Sequence, residues 1–194
     1  AFIDVRRPDL ERFSQIYVDD VAGGRAATDH LLKLGHRRIG FVGDEIDNPF
    51  HFTSSRDRYL GYRQALAYAG IPVRESYRTE GPHGREQAEL QARELLAHPQ
   101  RPTAIFAASD TQAVGVLQAA RELGFRVPED LSVVGYDDID IADVMQLTTV
   151  RQMLFESGRR GAEQLLQVLD EADTEPVHVE LPTILVERAT TAER

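Results

Sequence analysis

Short apolar runs alternate with longer amphipathic stretches along most of the chain, the pattern of a parallel α/β sheet with helices between its strands. The apolar runs predict strands over 1–5, 15–18, 38–42, 76–80, 103–107 and 131–135, with two more near 177–181 and 183–187. The 3.6-residue pattern predicts helices over 22–34, 54–69, 84–97, 111–123 and 154–169. The first helix aligns Ala26, Ala27, His30, Leu31 and Leu34 on one face, and Gly35 stops it. The fourth repeats that design, with Asp110 as the expected N-cap, Val114, Leu117, Ala120 and Leu123 as the apolar stripe, and Gly124 as the stop. Leu147–Val150 reads as a short extended piece. Leu181-Pro182-Thr183 breaks the last strand in two, so the chain is expected to cross between lobes more than once.

The chain is 42 % hydrophobic and 28 % charged, enough to bury a core across 194 residues as one large domain or two small lobes. Its net charge of −10 makes it a poor holder of nucleic acid by itself. The absence of cysteine excludes a disulfide framework and thiolate metal sites. No apolar run approaches the ~20 residues of a membrane-spanning helix. The opening Ala1-Phe2-Ile3-Asp4-Val5 reads as a strand entered midway, which raises the expectation of a fragment.

Chemistry-bearing residues collect after strands. Ser109 and Asp110 follow one, and Asp137 and Asp138 follow another. Ligands of open parallel sheets bind outside the carboxyl ends of the strands, so these groups are placed to face one. Asp137 or Asp138 could accept hydrogen bonds from ligand hydroxyls or cap the helix starting near Ile139, and Asp137 is the favoured contact. Arg58 lies near the start of a helix, where the dipole disfavours a cation, so a nearby acid, a bound anion or solvent must compensate. Phe50, His51 and Phe52 sit in the preceding loop, either to stack on a ligand ring or to form a small satellite core. Gly23-Gly24 opens the first helix and permits close backbone approach. The six histidines (30, 36, 51, 83, 98 and 178) are scattered without metal-ligand spacing, and His30 on an apolar face reads as a core histidine. Asp140 and Asp143 lack the glycine and distal glutamate of a calcium loop. No nucleophile elbow, Walker loop or Gly-x-Gly-x-x-Gly is present, so the expectation is binding without catalysis, metal or cofactor.

The segments His30-Leu-Leu-Lys-Leu-Gly-His36, Arg58-Tyr-Leu-Gly61-Tyr62, Pro102-Thr-Ala-Ile-Phe-Ala-Ala-Ser-Asp110, Gly124-Phe-Arg-Val-Pro128 through Gly135-Tyr-Asp-Asp138, and Leu147-Thr-Thr-Val-Arg-Gln152 follow one another in order. Together they resemble the effector-binding region of LacI/GalR (lactose-repressor/galactose-repressor) bacterial transcription regulators. The resemblance implies a type I periplasmic-binding-protein-like α/β fold of two parallel lobes with effector between them, the N-terminal lobe incomplete here. Under it, 1–37 and 151–173 belong to the N-terminal lobe and 38–150 and 174–194 to the C-terminal lobe, and the DNA-reading helix-turn-helix is absent from this chain. It further implies effector contacts at Asp137, Arg58 and Asp19 and at the position of Ser109; Phe50 of the aromatic loop joins them as a candidate contact on the local reading alone. The effector would be a sugar or purine-like metabolite, the assembly a cytoplasmic homodimer, and operator DNA would be bound only through the missing domain. Ser109 replaces the asparagine many members carry, and Met145-Gln146 replaces the usual Pro-Pro before Leu147, near the family's dimer surface. The alternative is a periplasmic sugar-binding protein of an uptake system.

Overall fold

The computed structural model describes residues 2–3, 8–45, 52–170 and 175–194. They form two compact units, Ala1–Asp19 with Gln152–Thr183, and Asp20–Arg151 with Ile184–Arg194.

The first unit holds β1 (Phe2–Ile3), β2 (Gln15–Val18) and α6 (Leu154–Asp170), with β8 (His178–Leu181) returning to pair with β2. The sheet order is β1-β2-β8 and both pairings are parallel. Ile16, Val18 and Leu181 form its small core with Met153 and Val179 against them.

The second unit is a six-stranded sheet in the order β4-β3-β5-β6-β7-β9. Its strands are β3 (Ile39–Asp44), β4 (Arg78–Gly81), β5 (Ala104–Ala107), β6 (Ser132–Asp137), β7 (Thr148–Arg151) and β9 (Ile184–Val186). All pairings are parallel except the last, where β9 runs antiparallel to β7. Strand alternation divides the apolar residues cleanly between two cores. Ile105, Ala107 and Val133 pack with α3 (Arg85–Ala97), α4 (Asp110–Glu122) and Ala142 of the short α5 (Asp140–Val144). Ala104, Phe106, Val134 and Tyr136 pack with α1 (Asp20–Lys33) and α2 (Ser54–Tyr68). The chain's last residues thread along this unit, with the Thr190 hydroxyl donating to the Val133 carbonyl at 2.7 Å and the Arg194 amide to the Leu34 carbonyl at 2.8 Å.

Element placement follows the sequence pattern closely, and the differences have physical causes. The helix over 20–33 packs on α2 in the second unit, whereas 1–37 was expected in the first lobe. Likewise β8 pairs with β2 in the first unit, whereas everything from 174 onward was expected in the other lobe; only β9 crosses, after the Pro182 break. The N-cap of α4 is Ser109, not Asp110: the Ser109 hydroxyl accepts the Gln112 amide, and Asp110 is the first helical residue. Of the expected stripe Val114, Leu117, Ala120 and Leu123, Ala120 is buried and Leu117 packs partly buried against the core, while the remaining buried apolar positions of α4 are Ala113, Val116 and Ala119. Small residues win that face because α4 lies tightly on α3, where a Cβ at Gly115 would overlap the Arg85 carbonyl. Leu123 is left exposed.

Candidate functional site

In a sheet ordered β4-β3-β5-β6, the chain steps from β3 to one side for β4 and to the other for β5. Its switch point therefore lies between the carboxyl ends of β3 and β5, where helices depart to opposite faces and leave a crevice. The polar residues of the second unit converge at these ends.

Arg58 is the centre of the cluster. It sits in the first turns of α2, yet only 7 % of it is exposed. It donates to the Asp20 carboxylate (2.7 Å), to the Ala108 carbonyl just past β5 (2.6 Å), and to the Asp137 carboxylate (3.4 Å). Its guanidinium lies 3.7 Å from the centre of the Tyr136 ring. Burial works against the charge, but Asp20 and Asp137 more than offset it and hold Arg58 firmly protonated. For Asp20 burial is the stronger influence and pushes the carboxyl up, with Arg58 drawing it back. The compensation that a cation near a helix start requires is thus supplied by two acids. Close helix packing puts the arginine there: a Cβ on Gly24 of α1 would overlap the backbone of Arg58, and one on Gly61 would overlap the Val21 carbonyl. This is the close approach expected of Gly23-Gly24.

Asp137 ends β6 and Asp138 follows it, with φ of 114° and 58°, backbone that non-glycine residues seldom adopt and that costs roughly 1–3 kcal/mol per residue. That geometry sends their side chains to different partners. Asp138, its side chain 5 % exposed, accepts Arg151 Nε at 2.6 Å and Arg188 Nη2 at 2.7 Å. Burial raises its carboxyl, and the two arginines overcome this and hold it below the usual range. Asp137, the favoured contact of the pair, reaches Arg58 instead. Asp110 is fully buried, accepting the Thr149 hydroxyl (2.6 Å) and the Ile139 amide (3.0 Å), and burial pushes it up to about 6. It fastens α4 to the loop after β6 and was missed as a structural pin.

Ser109, expected at the ligand, is 5 % exposed, and its hydroxyl both accepts the Gln112 amide and lies 3.1 Å from Gln112 Oε1. Gln112 Nε2 in turn donates to Asp44 Oδ1 (2.9 Å), and Asp44 Oδ1 also meets His83 Nδ1 (3.1 Å). Asp44 and His83 carried no sequence signal beyond their place after strands. Asp19 ends the first stretch of the first unit, and Asp20 beside it reaches Arg58. Phe50 lies outside the described residues. Among the described residues no cluster of three histidines and acids could hold a metal ion, and no helix is long and apolar enough to cross a membrane.

A buried arginine, two aspartates with positive φ and a polar line along neighbouring strand ends gather at the carboxyl edge of the sheet, where open α/β sheets bind their ligands. Comparison with known proteins agrees: residues 28–191 match the family model of the periplasmic binding protein-like domain. The ribose operon repressor of Escherichia coli K12 is 35 % identical over 172 residues, covering 88 % of this chain and 51 % of that protein. A transcriptional regulator CelR–cellobiose complex is 36 % identical with a TM-score of 0.84, covering 93 % of this chain and 54 % of the other. A LacI family transcriptional regulator from Mycobacterium smegmatis is 33 % identical with the same TM-score, over 98 % of this chain and 69 % of the other. The chain belongs to the LacI family of transcriptional regulators, and its fold is their periplasmic-binding-protein-like domain. It spans about half the length of the curated relatives it matches.

Proposed function

We propose that this chain is the small-molecule-sensing region of a LacI-type regulator, responding to a sugar or related metabolite. The observation that carries the reading is Arg58, buried and charged between Asp20, Asp137 and the Ala108 carbonyl at the carboxyl edge of a parallel sheet. Such an arrangement fixes donor and acceptor directions before a ligand arrives, and polyol hydroxyls can satisfy both. Asp137 accepts from a hydroxyl, Arg58 donates to one, and Asp19 and Phe50 are proposed as further contributors. No proton needs to move, so the chemistry is recognition and not turnover. The relatives' names, ribose operon repressor and CelR–cellobiose complex, support a sugar and favour regulation over uptake.

The effector acts by binding one conformation better than another, since a ligand with equal affinity for both shifts nothing. In this reading the protein is cytoplasmic and dimeric, and operator DNA is read by a helix-turn-helix outside this chain. Packed on one another, α3 and α4 leave Leu90 and Leu123 exposed, and Val144 and Met145 project after β6; these support a homodimer contact.

The test is thermal stabilisation by a panel of D-ribose, D-glucose, cellobiose and hypoxanthine. A ligand at about 100 times its Kd should stabilise the wild-type chain by about 2.7 kcal/mol. Asp137→Asn and Arg58→Lys, each close to isosteric or charge-preserving, should remove that stabilisation while far-UV circular dichroism is unchanged. Full stabilisation of both variants refutes the reading.

A further inference from the structure

The polar line Ser109–Gln112–Asp44–His83 runs from the cap of α4 to the carboxyl ends of β3 and β4. Asp44 is the last residue of β3, on the other bank of the switch point from Ser109, and His83 follows β4. The two ends are kept side by side by the sheet itself, the Glu45 amide donating to the Gly81 carbonyl at 3.0 Å. Asp44 is then fixed twice more. Its amide donates to the Ser55 hydroxyl (2.9 Å), and its carboxylate accepts from Gln112, a side chain 1 % exposed whose own place is set by the Ser109 cap. A buried chain of hydrogen bonds therefore ends in a carboxylate and an imidazole that are open, with side chains 25 % and 58 % exposed. Both hydrogen bonds to Asp44 fall on Oδ1. The His83 ring also feels the charges of Asp137 and Arg58, which puts the line within electrostatic reach of the site, and its bond to Asp44 holds the imidazole above its ordinary value.

We propose that Asp44 and His83 are a second recognition point of the same effector site, offering Asp44 Oδ2 and His83 Nε2 to two neighbouring hydroxyls of a polyol. This rests on the effector-site reading above. An isolated surface ion pair contributes little and needs no buried support. A carboxylate aimed from beneath by a side chain as buried as Gln112 is the construction of a pre-organised contact. Gly84, with φ of 138° and open space where a Cβ would be, leaves room beside the imidazole. The pair sets selectivity: a ligand lacking one of the two hydroxyls leaves a polar group of the site unmatched, which separates sugars more sharply than an apolar wall.

The experiment titrates the chain calorimetrically with D-ribose, D-glucose and cellobiose, comparing wild type with Asp44→Asn, His83→Ala and Arg58→Lys. It also follows the histidine ring signals by NMR. The expected result is binding to wild type that weakens about tenfold in each of the first two variants, the loss of one charge-assisted hydrogen bond. The His83 ring signals should move on saturation while those of His98 and His178 stay in place. If Arg58→Lys loses binding but Asp44→Asn and His83→Ala bind within twofold of wild type, and the His83 signals do not move, the pair has no part in recognition and the site reading stands. If none of the three sugars binds wild type, the polyol inference falls by itself; if Arg58→Lys binds as wild type does, the site reading falls and takes this inference with it.

Discussion

Replacing glycine by alanine should have opposite signs at two helical positions of this chain, and the difference is set by what each new methyl group meets. In α6, Gly158 has nothing within 4 Å of an added Cβ, so Gly158→Ala should stabilise by about 0.5–1 kcal/mol through helix propensity alone. In α1, a Cβ on Gly24 would stand 2.7 Å from the Arg58 Cα and 2.8 Å from its carbonyl carbon. Carbon contacts settle near ~3.5–4.0 Å, so the two helices must part by roughly 1 Å. The obstacle is backbone and cannot rotate away. Overpacking of this kind costs about 1–3 kcal/mol, and contacts this close to backbone place it in the upper part of that range; against a propensity gain of roughly 1 kcal/mol, Gly24→Ala is destabilised by up to about 2 kcal/mol. The displacement also carries Arg58 away from the Ala108 carbonyl and the Tyr136 ring, so ligand-induced stabilisation should fall more steeply than stability does. Urea denaturation followed by far-UV circular dichroism gives both free energies, and the thermal-shift panel gives the binding loss. A Gly24→Ala chain as stable as wild type, with full ligand response, would show that the glycine contact does not hold Arg58 in place.

Asp138→Asn removes one negative charge from between Arg151 and Arg188 without changing shape, and asparagine accepts the same positive φ, so backbone strain is held constant. With Arg151 half exposed and Arg188 mostly covered, the cost should be about 2–3 kcal/mol in urea unfolding, between the values for surface and buried pairs. His36 is 2 % exposed, bonded to the hydroxyls of Thr103 and Ser132, and burial holds its imidazole below the ordinary value against the opposing Ala192 carbonyl. A lowered histidine favours the fold fully above the ordinary imidazole value of about 6.5 and loses that contribution as pH falls through it. The penalty of His36→Asn should therefore be largest at pH 7.5 and shrink toward pH 5, read as the difference in thermal midpoint; a penalty that grows on acidification refutes the sign. That comparison is needed because Asp110, raised to about 6, works the other way in the wild-type curve: its contribution is present at low pH and is lost as pH rises through 6.

Element positions were legible because each follows from periodicity within one segment. The strand 15–18 and the helix starting at Ser54 fall where the pattern puts them. What the pattern could not supply is which elements meet. That α1 belongs with α2 rests on Gly24 lying against the backbone of Arg58 and Gly61 against that of Val21, a relation between two segments that neither reveals by itself. The same holds for Arg58, whose need for a counter-charge was readable from its place near a helix start, while the identity of Asp20 was not. At α4 the local rules misled by one residue: Ser and Asp are both good caps, and the choice of Ser109 follows from Asp110 being drawn inward by Thr149 and Ile139, partners far along the chain. Ser109 then lost the open hydroxyl expected of it. Asp44 and His83 lie 39 residues apart and meet only because β3 and β4 are neighbours in the sheet. Asp138 likewise meets Arg151 because β6 and β7 are neighbours, and Arg188 because β9 returns beside β7.

Those pairs bear on how an effector signal could travel. Arg151 is the residue at which the chain leaves the second unit, and Arg188 follows the strand by which it has come back. Both are moored to Asp138, and Asp138 is one peptide bond from Asp137. If Asp137 holds the effector, a hydroxyl drawing on its carboxylate twists a backbone segment that already departs from ordinary geometry. The next side chain along is the cleat to which the outgoing and returning lines are tied. The proposed effector contact at Asp137 and the mooring at Asp138 then share a single peptide plane.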